Sequence, residues 1–168
     1  MKSITTVLLT LSSVATLHGA TLKTHLTLDG GQQVPVVTTT TAVGEAMVSI
    51  DDTTGETIIS GSYTGVTSGI IVARLYGAAD PGETSRAYFS LTIDLDLDDP
   101  ASGKFSGTSM LAPDRMAALL NGKTYINIHS NDHLLGEIRG QVPALVPEPG
   151  STLFLGLATA LGLFRRRR

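Results

Sequence analysis

Two stretches carry residues whose types and spacing could do chemistry. The first is Tyr125–Gln141, YINIHSNDHLLGEIRGQ, in which Tyr125, Asn127 and His129 alternate with Ile126 and Ile128. Beyond a short turn, Glu137, Arg139 and Gln141 alternate with Ile138 and Gly140. Residues two apart share one face of a strand. The spacing therefore predicts a β-hairpin with its isoleucines turned to a core and Tyr125, Asn127, His129, Glu137, Arg139 and Gln141 turned away. A register that sets His129 beside Glu137 also sets Asn127 beside Arg139. Two readings fit this face. One is a polar ladder that fixes register and ties to a neighbouring loop, each exposed pair contributing about 0.2–1 kcal/mol. The other is a ligand or metal surface built on His129. His133 follows His129 by four residues, a zinc-ligand spacing when both lie on a helix. Asn131-Asp132 predict a turn instead. His129, Asp132 and His133 are thus metal candidates without the scaffold that spacing requires.

The second stretch is Ile93–Asp99, IDLDLDD. Asp94, Asp96 and Asp98 take the first, third and fifth places of a calcium loop, but Asp99 stands where such a loop needs glycine and Phe105 where it needs glutamate. The alternation predicts a strand instead, with Leu95 and Leu97 inward and a solvated acidic face outward, which also discourages edge-to-edge pairing. There is no nucleophile elbow, no phosphate loop, no H-E-x-x-H and no cysteine. No catalytic residue and no cofactor are expected.

The elements that position these residues are short. Alternation predicts strands at 21–28, 43–50, 56–64, 70–76, 86–95, 104–110, 123–129 and 136–142. Residues 32–41, with Pro35 and four consecutive threonines, read as edge or loop. Pro113, Asp114 and the Asn121-Gly122 pair bracket a helix over 113–120. About eight strands and one short helix predict an all-β fold, an antiparallel Greek-key sandwich or a closely related barrel. Aromatic content is low at 5%, tryptophan and cysteine are absent, and 18 glycines suit tight turns. Between residues 21 and 147, seven Lys and Arg face fourteen Asp and Glu, a net charge of −7. Such a body disfavours a nucleic-acid partner. No disulfide or thiolate metal site is available, so the core must hold the fold alone.

The two ends read as processing signals. Residues 1–20 combine Lys2 with an apolar run, the pattern of a secretory signal peptide and a substrate for signal peptidase. At the other end, Pro147-Glu148-Pro149 is stiff and non-helical. Residues 151–164 are uncharged and mostly apolar but short for a bilayer span, and Arg165, Arg166, Arg167 and Arg168 follow. A terminal basic cluster places that end on the cytoplasmic side. This three-part tail resembles the PEP-CTERM sorting signal of Gram-negative bacteria. The resemblance implies recognition by an exosortase-type membrane peptidase, transient inner-membrane anchoring, and delivery to the surface or to an extracellular polysaccharide matrix. Polysaccharide and other surface proteins are then the expected partners.

The body carries a second resemblance. Gln32-Gln33-Val34-Pro35, Gly44 to Ile50, Gly122 to His129 and Gly136-Glu137-Ile138-Arg139-Gly140-Gln141 together resemble the CHRD domain, first described in chordin. The family's fold is taken to be immunoglobulin-like. Its members commonly carry a His-x-His pair near the middle, where this chain has Arg74 and Tyr76, so His129 lacks the partners a metal site would use. The division expected is a leader at 1–20, a CHRD-like domain at 21–143 and a sorting tail at 144–168. The function expected is a non-enzymatic structural, adhesive or binding role. The alternative is a metal-dependent activity of Greek-key type using His129, for which His25, His129 and His133 are the body's only imidazoles.

Overall fold

The computed structural model describes residues 19–145. Nearly all of the expected leader, and the whole Pro147–Pro149 and Arg165–Arg168 sorting pattern with its apolar segment, lie outside the described residues. Within them the chain forms β1 (Thr21–Asp29), β2 (Val43–Asp51), β3 (Glu56–Thr64), β4 (Ile70–Gly77), β5 (Arg86–Leu95), β6 (Gly103–Met110), α1 (Pro113–Leu120), β7 (Thr124–Ser130) and β8 (Ile138–Gln141). A single 3-10 turn, Gly30–Gln32, follows β1. Among the described residues no helix is long and apolar enough to cross a membrane.

The strands close into an antiparallel barrel in the order β1-β2-β3-β6-β5-β4-β7-β8. Of the two architectures the pattern allows, the described domain is a barrel. Alternation explains why. On β1, Leu26 and Leu28 are buried while Lys23, His25 and Thr27 are exposed. On β2, Ala46, Val48 and Ile50 are buried. Their registers, Leu26↔Ala46 and Val48↔Ile59, stack these side chains layer on layer inside the barrel. Leu75, Leu91, Phe105, Ile126, Ile128 and Ile138 join them in the core. Burying each large side chain contributes about 1.5–3 kcal/mol, which is what a domain without disulfides must rely on.

Two connections step across neighbouring strands. Residues 65–69 carry the chain from β3 to β4, and α1 lies on the route from β6 to β7. One end of the barrel, called upper here, gathers the 30–42 and 65–69 connections and the 131–137 hairpin loop. The lower end gathers the 52–55 turn, the 78–85 loop and α1. Pro113 opens α1, Asp114 sits in its first turn, and the Asn121 side chain bonds back to the Ala117 carbonyl. Beyond β8, the Val142 amide bonds the Thr124 carbonyl and the Leu145 amide the Leu120 carbonyl, so the chain leaves along the lower end.

The acidic stretch departs from expectation. Leu91 is buried and Ile93 packs on the core, but Leu95 is 51% exposed and Leu97 is 91% exposed. The pairing of β5 with β4 ends at Leu91, and Leu95 is in register with Gly103 of β6, so the inward-facing position there meets little core. Asp96 accepts the amides of Asp98 and Asp99, and Asp99 accepts the amide of Ala101 and the hydroxyl of Ser102. These carboxylates shape a turn. Asp94 stays on β5, in register with Lys104.

Candidate functional site

The β7–β8 hairpin pairs Tyr125 with Gln141, Asn127 with Arg139 and Ile128 with Ile138. The Asn127–Arg139 half of the expected register is present. The His129–Glu137 half is not. Gly136 turns the chain at φ +119, and the Glu137 amide bonds the Ile128 carbonyl in place of continuing the ladder to His129. β8 therefore starts at Ile138, and Glu137 leaves the polar face for the upper end of the barrel.

A second correction concerns exposure. The face is not solvated: Tyr125, Asn127 and Arg139 are buried, and so is Glu137 beyond its upper end. Two loops cover it. The 30–42 connection comes down from the upper end, and the 78–85 loop comes up from the lower end. Gln33, itself buried, donates from Nε2 to Asn127 Oδ1 at 2.6 Å. Gln32 accepts the Gln141 amide and donates to Asp29 and to the Thr27 carbonyl. The Gln141 amide group donates to the carbonyls of Ala79 and Gly122. Sequence periodicity identifies a polar face and allows a tie to a neighbouring loop; it does not reveal which loops lie on that face. Gln32 and Gln33 stood out in the sequence only as part of a family pattern.

Glu137 holds three segments together. Its Oε1 accepts the Thr40 hydroxyl at 2.6 Å and the Thr67 amide at 2.9 Å. Its other oxygen and the Ser130 hydroxyl are buried without a well-formed hydrogen bond, yet the hydroxyl lies close enough to favour the ionised carboxylate. Burial pushes the carboxyl up, and the donors Ser130, Thr40 and Thr67 together outweigh it, so its pKa lies below the ordinary carboxylate range. Sequence reasoning missed Thr40 and Thr67. Four threonines in a row give no sign of which one turns inward.

Arg139 is 2% exposed and lies with its guanidinium carbon 3.6 Å from the Tyr125 ring centre. It donates to the Glu83 carbonyl at 2.7 Å and to Gln141 Oε1 at 2.8 Å. Burial lowers its pKa and the neighbouring Tyr125 raises it; a guanidinium stays charged through such shifts. Tyr76 stacks on Tyr125 with ring centres 5.1 Å apart, and the Tyr125 hydroxyl accepts the Ser85 amide.

His129 is engaged at both ring nitrogens. Nδ1 lies 2.9 Å from the Leu134 carbonyl and Nε2 lies 2.9 Å from the Tyr76 hydroxyl. A carbonyl only accepts, so Nδ1 carries the proton, and in the neutral ring Nε2 accepts from Tyr76. Burial holds its pKa below the usual imidazole value; the Leu134 bond opposes this and the Arg74 charge adds to it. A His whose folded pKa is lowered contributes stability above its unfolded value of about 6.5 and loses it as pH falls through that value toward the folded one. Titration of His129 by NMR is expected to give a midpoint below 6.5 and the Nδ1–H tautomer. A midpoint at or above the ordinary value contradicts the geometry.

The other candidates do not converge. Asp132 donates its amide to Ser68 on an exposed turn, and His133 enters that turn through its backbone. Arg74 bonds Ser90 on the neighbouring strand. His25 lies on the outer face of β1, 3.5 Å from Glu45. Among the described residues no three His, Cys, Asp or Glu side chains gather as a metal site.

An antiparallel eight-strand barrel with a loop-covered hairpin at its closing edge defines the class of domain. A family model, the CHRD domain, matches residues 24–142, and the chain belongs to that family. A second model, the PEP-CTERM protein-sorting motif, matches residues 145–168. The tail marks an exported protein, processed by an exosortase-type membrane peptidase and sorted to the Gram-negative cell surface, with a C-terminal segment for membrane anchoring. No curated protein and no solved structure matches the chain.

Proposed function

We propose that the domain is a non-enzymatic structural or adhesive component of the cell envelope or extracellular matrix. The observation that carries this reading is the use made of its polar cluster. Glu137, Asn127, Gln141 and His129 each bond to a loop or a neighbouring strand, which is the work of a scaffold. Residues 1–20 act as the leader removed by signal peptidase, 21–143 form the mature body and 144–168 the sorting tail. Polysaccharide or other surface proteins are its partners. The return of β7 beside β4, after the consecutive β4-β5-β6, supports a Greek-key description of the barrel. The metal-dependent alternative through His129 gains no support, since both of its nitrogens already have partners.

Cell fractionation tests the reading. Full-length protein is expected in the surface or matrix fraction, with retention unchanged by chelator and by His129→Ala with His133→Ala. Deleting residues 146–168 is expected to remove it from that fraction. A chelator-sensitive activity lost in the histidine variant at unchanged Tm would overturn the structural reading.

A further inference from the structure

Between the two loops that cover the hairpin lies a cleft of about 400 Å³. Val34, Pro35 and Val36 form one wall, Pro81 and Gly82 the other, and Arg139 and Gln141 the floor. The floor is unusual in its charge. No carboxylate among the described residues comes within 4.0 Å of the Arg139 guanidinium; the ion pairs of the described residues, His25–Glu45 and Lys123–Asp80, lie elsewhere. A buried cation is costly unless an anion compensates it. The nearest help is the Tyr125 ring and two neutral oxygens. A guanidinium has five N–H donors in a planar fork, and these two bonds leave the rest of the fork without an acceptor among the described residues. Glu83 presents its backbone carbonyl to Arg139 but turns its carboxylate to the Asp80 amide.

We propose that this cleft binds a small monocarboxylate with a branched apolar body, its carboxylate on the free edge of Arg139 and its apolar part against Val34, Pro35, Val36 and Pro81. The charge of the rest of the domain selects against polyanions. A body with net charge −7 between residues 21 and 147 repels polyanions, whereas one carboxylate entering the cleft meets a local cation at short range. A bidentate carboxylate–guanidinium contact is the strong, directional form of this interaction. The site stands on the cleft alone and is independent of the structural role proposed above. A terminal uronate on a saccharide presents the same carboxylate on a polar body, and the probes separate the two.

The test uses the full-length chain in mild detergent, titrated with isobutyrate, with isobutyramide as the uncharged match, and with monomeric and trimeric galacturonate. Isobutyrate is expected to bind with a Kd on the order of 1 mM and to shift the amide signals of Val36, Gly82 and Glu83, while isobutyramide does neither. Galacturonate, whose body is hydroxylated, is expected to bind more weakly than isobutyrate, and the trimer more weakly than the monomer; galacturonate binding as tightly as isobutyrate would overturn the apolar half of the proposal. Arg139→Lys is expected to weaken isobutyrate at least tenfold. Val36→Asp, at a wall position 58% exposed, places a like charge in the cleft without touching the core. It is expected to abolish isobutyrate binding at unchanged Tm. Equal responses to acid and amide, no response to isobutyrate, or full binding by Val36→Asp each overturn the proposal.

Discussion

Glu137→Ala is expected to lower the stability of the domain by about 3 kcal/mol, because it leaves the Thr40 hydroxyl and the Thr67 amide without their acceptor. That corresponds to a fall in Tm on the order of 10 °C. Glu137→Gln keeps the shape and one acceptor oxygen and is expected to cost about 2 kcal/mol, the difference between charged and neutral hydrogen bonding. The effect is large because one side chain ties together segments 97 and 70 residues away in sequence. The pH dependence separates charge from shape. The native carboxyl has a lowered pKa, so its contribution is complete above the unfolded value near 4.5. It is lost as pH falls through the lower folded value. Thermal melts from pH 7 to pH 3 should therefore show the gap between wild type and Glu137→Gln narrowing in acid. A gap that stays constant or widens would mean that the charge of Glu137 is not what holds the upper connections.

What the sequence disclosed was whatever rests on period and punctuation. β3, β5 and α1 lie where alternation, Pro113 and the Asn121-Gly122 pair put them. β8 is shorter than its pattern because Gly136 breaks the ladder, and a pattern of apolar and polar residues cannot register a backbone turn. Leu95 and Leu97 have the right parity for a core that ends at Ile93. The candidate hairpin was legible as a hairpin, and Asn127 beside Arg139 follows from counting. Its burial was not, because the covering residues Gln33 and Thr40 contact it across separations of 94 and 97 residues. Arg74 and Tyr76 were singled out as the places of missing histidines. The structure gives Tyr76 a positive role there, as hydrogen-bond partner of His129 and stacking partner of Tyr125. The polar residues that looked like chemistry are, for the most part, the side of a strand pair that two loops need in order to be held down.

That dependence makes Gly136→Ala the other substitution with a large expected effect. Gly136 has φ +119, a conformation that side chains rarely adopt. A Cβ there would also run into the Asn127 amide and the Gln33 Nε2, the buried pair that fastens the 30–42 connection to β7. Backbone strain of about 1–3 kcal/mol and overpacking of about 1–3 kcal/mol act together. The expected loss is about 2–6 kcal/mol, a large share of the margin of a small domain. Gly82→Ala supplies the comparison. Its φ is +85, but nothing lies within 4 Å of the added carbon, so it carries strain alone and is expected to cost about 1 kcal/mol. Chemical denaturation of the two variants isolates the packing contribution. If both lose the same stability, strain explains everything and the Gln33–Asn127 contact is not tightly packed. If Gly136→Ala loses several times more, the two loops close on the hairpin as a fitted cover. The loss should then extend to proteolysis within 30–42, since a connection freed from Asn127 exposes backbone that Gln33 now holds against β7.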